Sequence, residues 1–318
     1  MDRRRFSEML GLGVLGMPLV SCQEPHRTGS QLLVATTTMV GDLLRGLAGG
    51  LDGEVAVLMG AQVDPHLFKP GQSDVRKLRR ASVVLYSGLH LEGRMAEILE
   101  RMARHGRQVV AVTDGIAPDR LMEAEGAIDP HVWGDASIWA EAVQFAGDRL
   151  AAFLPEHREA IAARTAEQVA ELQECHGRLR ARAREIPEAQ RVLVTSHDAF
   201  QYFGRAYGFE VMSVQGIATV SEAALADMAR ISAAIRQRQV RAVFVESSIS
   251  PATIRRISEE TGAVLGGELC SDALGIPGEM VNLAGGRSVD RGTVAGMLES
   301  NMDIIVRALS GSAAVIPP

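Results

Sequence analysis

Two α/β lobes, each a parallel sheet flanked by helices and joined by one long rigid helix, are the architecture this sequence predicts. Three observations carry that expectation. Short apolar runs alternate with helically spaced segments over residues 32–153, the same alternation restarts at residue 188 and continues toward residue 318, and Pro155 to Ile186 holds no glycine except Gly177 and no internal proline. Strands that alternate with helices call for a parallel sheet covered by those helices.

The amino terminus belongs to neither lobe. Met1-Asp2-Arg3-Arg4-Arg5-Phe6 is basic, Met9 to Val20 is apolar and glycine-rich, and Leu19-Val20-Ser21-Cys22 closes the run. Those are the parts of an export signal, too short to span a bilayer. The closing box resembles a bacterial lipobox, which implies a signal peptide over residues 1–22 with lipidation of Cys22. Arg3-Arg4 followed by Phe6 resembles a twin-arginine signal, with an ordinary basic n-region as the alternative. Residues 23–31, polar with Pro25 and Gly29, read as a tether.

In the first half, Leu32 to Thr36 is a strand, and Met39 to Leu51 a helix with Leu43, Leu44 and Leu47 on one face. The beat continues with a strand at Glu54 to Met59, a helix at Ser73 to Arg80, and a strand at Ser82 to Tyr86. A helix at Leu91 to His105, a strand at Gln108 to Thr113 and a helix at Asp135 to Phe153 complete it. Residues 154–187 form the linking helix. Ile161, Thr165, Val169, Leu172, Cys175, Leu179, Ala183 and Ile186 recur every three or four positions, and the helix would run roughly 45 Å. A hairpin broken at Gly177 is the alternative.

The second half, residues 188–318, repeats the beat. Strands are expected at Arg191 to Thr195, Glu210 to Val214, Ala242 to Glu246 and Ala263 to Leu269. Helices are expected at Asp198 to Tyr207, Ser221 to Arg238, Pro251 to Thr261 and Asp290 to Leu309, with Ser310 to Pro318 as a tail. Ser221 before an alanine-rich run suits a helix cap, and Pro251 a first turn.

Composition narrows the partners. The formal charge is -6, Lys69 and Lys77 are the only lysines, and the arginines are scattered among acids, which argues against nucleic acid. Apart from Cys22, only Cys175 and Cys270 remain, which leaves one disulfide open but no disulfide framework. There is no phosphate-binding Gly-x-x-x-x-Gly-Lys motif, so any ATPase must be a separate chain.

Chemistry concentrates in two near-copies, Asp64-Pro65-His66-Leu67-Phe68 and Asp129-Pro130-His131-Val132-Trp133. In each, proline stiffens the loop that aims a histidine. His66 and His131 lie beyond predicted strands of the first half; His197, directly after Val192 to Ser196, and Asp272 lie beyond predicted strands of the second. All four therefore sit where open α/β sheets place ligands, two from each half. Three imidazoles and a carboxylate suit Zn2+, and Mn2+ as the alternative. Metal-bound imidazoles donate their second nitrogen to an acceptor, which makes Asp64, Asp129, Asp198 and Glu246 candidate supports. Phe68, Trp133, Phe200 and Tyr202 could wall the cleft or simply pack the core. His26, His90, His105, His157 and His176 read as surface residues.

Through these residues the chain resembles the metal-specific solute-binding proteins of ABC importers, the TroA-like class (cluster A-I) that carries zinc or manganese. The resemblance spans the mature chain. It rests on the two Asp-Pro-His segments, Thr195-Ser196-His197-Asp198-Ala199-Phe200, Val245-Glu246-Ser247-Ser248 and Ser271-Asp272-Ala273-Leu274-Gly275. It implies metal ligation by His66, His131, His197 and Asp272, delivery to an ABC permease with its ATPase, and attachment to the extracytoplasmic face of the membrane as a lipid-anchored monomer. Manganese members commonly carry glutamate at the position of His197, so histidine leans toward zinc. The histidine-rich loop of many zinc members is absent, since residues 114–129 contain no histidine. Cys270 stands where the family often has tyrosine and is a further candidate ligand.

Two other function classes compete. A secreted zinc hydrolase also uses three histidines, but there is no His-Glu-x-x-His helix and Asp272 would fill the position that a catalytic water needs. A zinc-binding adhesin or structural lipoprotein would need its metal to fold. For a transport receptor, the linking helix predicts release by a small lobe tilt or local loop loosening, with no wide hinge opening.

Overall fold

Four strand-helix units precede the linking helix and four follow it in a common plan, seen in a computed structural model that describes residues 31–124, 126–219 and 224–311. The expected signal peptide, Cys22, the tether up to residue 30, His26, Ser221 and residues 312–318 lie outside the described residues.

The first half opens with β1 (Gln31–Ala35), α1 (Thr38–Ala48), β2 (Gly53–Val57) and α2 (Gln72–Arg80), followed by β3 (Val83–Tyr86), α3 (Arg94–Arg104) and β4 (Val109–Ala111). Thr37 caps α1 by accepting from the Val40 amide, 3.3 Å away, while Leu43, Leu44 and Leu47 go into the core as their spacing predicts. All four strands run parallel in the order β2-β1-β3-β4, with Leu33 beside both Val55 and Val83 and Val84 beside Val109. Beyond β4 comes a small hairpin, β5 (Glu123–Ala124) with β6 (Ala127–Ile128), and then α4 (Ala136–Phe153), capped by Asp135.

After a single 3-10 turn at Pro155–His157, α5 (Arg158–Ala183) runs for 26 residues, about 39 Å, without a break. The hairpin alternative fails because the helix continues through Gly177, which lies on an open face with nothing within 4 Å of where its Cβ would stand. Gly147 of α4 matters for the opposite reason: any side chain there would collide with Thr165, so glycine lets α4 and α5 pack closely.

The second half comprises β7 (Val192–Thr195), α6 (Gln201–Tyr207), β8 (Glu210–Ser213), α7 (Leu225–Arg238), β9 (Ala242–Glu246), α8 (Ala252–Thr261) and β10 (Val264–Leu269). A hairpin, β11 (Met280–Asn282) with β12 (Ser288–Asp290), and α9 (Val294–Ser310) complete it. Strands β7 and β8 pair in parallel, as do β9 and β10, and β7 lies against β9. The second half is thus two parallel strand pairs set side by side, with β7 next to β9 in the place that β1 next to β3 holds in the four-stranded first sheet. Both hairpins are too short to register as period-two runs in the sequence. The second of them, whose β12 takes in Asp290, moves the start of the last helix from the expected Asp290 to Val294.

The main core is continuous across the two halves. It joins Leu43 and Leu47 of α1, Trp139 and Val143 of α4, Ile161 and Leu179 of α5, Phe203 of α6, and Leu298 and Met302 of α9. Ion pairs reinforce the same seam, with Arg178 2.7 Å from Glu299 and Arg182 3.0 Å from Asp303. Cys175 and Cys270 are both buried and both free, so no disulfide links them.

Candidate metal centre

Four loops at the carboxyl ends of strands converge between the sheets. His66 comes from the β2–α2 loop, His131 from the segment between β6 and α4, His197 from the residues directly after β7, and Asp272 from those after β10. One ligating atom from each lies within 4.8 Å of all the others. Nε2 of His197 is 3.1 Å from Oδ2 of Asp272, and Nε2 of His131 is 3.4 Å from Oδ1. Nε2 of His66 is 3.4 Å from Nε2 of His131 and 3.7 Å from Oδ2 of Asp272. Metal–ligand bonds of about 2.0–2.1 Å place the corners of a tetrahedron about 3.3 Å apart, so the spacing fits one small divalent ion.

The supporting groups differ in what they do. Asp129 accepts from the His131 backbone amide at 3.0 Å and lies 2.7 Å from Nδ1 of its ring. Glu246 accepts from the amides of Ser196 and His197 through Oε1, at 2.8 and 3.0 Å, while Oε2 lies 2.6 Å from Nδ1 of His197. Both arrangements hold the imidazole with Nε2 toward the centre. Asp64 instead braces the His66 backbone, accepting from its amide at 2.8 Å, and its second oxygen accepts from the Thr219 hydroxyl at 2.6 Å. Asp198 accepts from Gln201 at 2.7 Å, and its charge acts on His131 without a hydrogen bond to it among the described contacts. Cys270 is outside the group, its sulfur accepting from Arg291 at 3.1 Å.

Burial and charge set the protonation of these groups. Burial dominates at His66 and lowers its pKa to about 4, against a smaller pull from Asp272. At His131 burial also lowers the pKa, but hydrogen bonds to Asp129 and Asp272 and their charges together win and raise it to about 9. His197 is likewise raised well above the ordinary value, the charges of Asp272 and Glu246 overcoming burial. Asp272, though buried, is held well below the usual carboxylate range by the imidazoles. The raised pKa values of His131 and His197 favour their protonated forms opposite the carboxylates.

The halves are tied together around this centre. Trp133 stands edge-on to His131 and donates from Nε1 to the Ser271 carbonyl, 2.9 Å away across the cleft. The Leu274 amide donates to the Thr38 hydroxyl at 2.8 Å, and the Tyr202 hydroxyl donates to the Asp129 carbonyl at 3.1 Å. Phe68 and Phe200 pack into the cores on either side. His176, read from the sequence as a surface residue, is half-buried, 3.4 Å from Asp135 and beside Tyr207. Each tie is one hydrogen bond, and the Asp64–Thr219 contact bears directly on the His66 loop. Thr219→Val keeps the shape and removes the bond; it is expected to speed metal release roughly tenfold, at about 1.5 kcal/mol for a bond to a charged group. Stopped-flow transfer of metal to a chelator measures it, and an unchanged rate would show that this tie does not restrain release.

A cavity of ≈ 760 Å³ opens beside the centre. His66 alone among the four convergent residues lines it, with Glu100, Asp114 and Glu123 on its walls. Thr38, Thr219 and the buried carboxylate of Glu92 are structural partners that sequence reasoning did not single out. The polar run Thr36-Thr37-Thr38 at the end of an apolar strand was the available signal for the first; Glu92 looks like any helix-start carboxylate.

Comparison with known proteins agrees with this geometry. Residues 33–308 match the family described as ZnuA, zinc-uptake complex component A periplasmic. The zinc-binding protein TroA of Treponema pallidum is 39% identical over 288 residues, covering 89% of this chain and 90% of that protein. The manganese-binding lipoprotein MntA of Bacillus subtilis is 39% identical over 284 residues, covering 87% and 89%. The solved structure of the T. pallidum periplasmic zinc-binding protein TroA aligns with a TM-score of 0.81, over 88% of this chain and 99% of that one.

Proposed function

The chain belongs to the ZnuA family of periplasmic zinc-uptake components, and from that premise we propose that it captures a divalent metal ion through His66, His131, His197 and Asp272 and hands it to an ABC permease. It is a binding component of a transporter and not an enzyme. The observation that carries the assignment is the 3.1–3.7 Å spacing between Asp272 and the three imidazoles. With the carboxylate at the fourth corner the shell is closed, which suits retention of cargo better than activation of water.

Zinc is the first choice of cargo and manganese the second, because three of the four donors are nitrogen. His197, where manganese members of the class commonly carry glutamate, supports the same order. Metal analysis of natively purified protein, followed by competition between zinc and manganese, tests it: tight binding of neither would end this reading, and preference for manganese would reverse the order.

In this reading cleavage falls before Cys22, lipidated Cys22 and the tether of residues 23–31 keep the protein on the extracytoplasmic face of the membrane, and the two α/β lobes of residues 32–153 and 188–318 act as a monomer around the helix of residues 154–187. Diacylation would make a firm anchor.

Metal removal separates a transport receptor from a structural zinc protein. The continuous apolar core predicts that chelation leaves a folded protein with a lower Tm. The difference should widen with pH. A His131 pKa of about 9 means that its proton stabilises the metal-free fold fully below about 6.5 and is lost as pH rises toward 9. Metal takes the place of that proton, so the loaded protein escapes the loss. Thermal scans of stripped and loaded protein between pH 6.5 and 9 check this; unfolding on chelation at pH 7 would favour the structural reading.

A further inference from the structure

Glu92 lies outside the metal centre and is fully buried, and three donors from two separate segments converge on its carboxylate. The Thr36 hydroxyl and the Ser87 amide donate to Oε1 at 2.8 and 2.6 Å, and the Gly88 amide donates to Oε2 at 3.2 Å. Burying a carboxylate is costly unless such bonds are made, and burial does push its pKa up against them. The bonds hold an unusual stretch of backbone. Gly88, Leu89 and His90 all have positive φ, 94°, 51° and 62°, a conformation that costs about 1 kcal/mol or more for each non-glycine residue. The stretch is further closed by Leu91 N to Gly88 O at 3.1 Å and Gly93 N to His90 O at 3.0 Å.

What the stretch supports is a proposed metal ligand. Gly93, at φ 48°, is pressed against the His66 backbone: a Cβ on Gly93 would lie 3.0 Å from the His66 carbonyl oxygen. On the other side, Thr36 is two residues from Thr38, whose hydroxyl receives the Leu274 amide beside Asp272. His66 otherwise rests on the Asp64 turn and has the cavity at its flank.

We propose that Glu92 is a positioning residue for metal capture, holding the strained Ser87–Gly93 turn against the back of the His66 loop so that its imidazole stays at the centre. The inference rests on the reading of His66 as a ligand. Glu92→Gln retains Oε1 for Thr36 and Ser87 but turns an NH2 toward the Gly88 amide, two donors facing each other. Gly93→Ala keeps the carboxylate and pushes on the His66 carbonyl.

The test is a cycle of zinc affinities, measured by chelator competition on the full chain, for wild type, Glu92→Gln, His66→Ala and the double variant. Support for other metal ligands is typically worth about ten- to a hundredfold in affinity. Glu92→Gln should weaken zinc by that factor when His66 is present and have no further effect when it is alanine. An equal loss in both backgrounds, or none in either, overturns the inference. A His66→Ala protein that binds zinc as tightly as wild type refutes the ligand assignment instead. If Glu92→Gln fails to fold, the same cycle with Gly93→Ala decides, with the same pattern expected and the same two results overturning it.

Discussion

Asp272→Ala is expected to weaken zinc binding by about 10²–10⁴-fold, the largest loss from any single substitution at the centre. The estimate follows from breaking a fully buried charge pair, about 3–5 kcal/mol, at the one residue that approaches all three imidazoles within 3.7 Å. The same change should destabilise the metal-free protein in a pH-dependent way. Asp272 contributes to holding protons on His131 and His197, both raised in pKa. Their attraction to the carboxylate is present while they are charged and fades with rising pH, for His131 as pH passes through about 9. The stability gap between wild type and variant should therefore be widest near pH 6.5 and narrow toward alkaline pH. Urea titrations at pH 6.5 and 9 would read it. A gap that grew with pH would mean that the empty centre does not hold its protons on the histidines.

His197→Glu is expected to lose zinc by about a hundredfold and, contrary to simple ligand swapping, to gain little manganese. Oε2 of Glu246 already lies 2.6 Å from the His197 ring, and both side chains are buried. A second carboxylate there faces a like charge, so one of the pair keeps a proton at neutral pH and competes with the incoming metal. Adding Glu246→Gln removes the conflict. The amide oxygen can still accept from Ser196 and residue 197, as Oε1 of Glu246 does now, while its NH2 donates to the new carboxylate. An added oxygen donor should then shift preference toward manganese, by roughly tenfold or more in the ratio of the two affinities. Competition calorimetry on both variants tests the argument. A full switch in the single variant would show that Glu246 has no part in metal choice.

The motifs were legible because they are local. Proline in each Asp-Pro-His leaves the histidine amide free to be received by the aspartate, and both aspartates do so, at 2.8 and 3.0 Å. Strand ends were legible too, since apolar runs stop where the chain leaves the sheet, and they located all four convergent residues. The hairpins β5–β6 and β11–β12 were not, because two or three paired residues leave no period to detect.

Sequence alone determined the repeated strand-helix plan, the unbroken linking helix and the four residues at the carboxyl ends of strands, since each depends on patterns within a dozen or so neighbouring residues. Only the tertiary structure decided what the two Asp-Pro-His copies do. Asp129 reaches the ring of its own histidine, whereas Asp64 turns its free oxygen across the cleft to Thr219. The tripeptides are identical; the groups facing them from distant parts of the chain are not. The same holds for Glu92, an ordinary carboxylate in the sequence, whose partners Thr36, Ser87 and Gly88 meet only when β1 and β3 lie side by side.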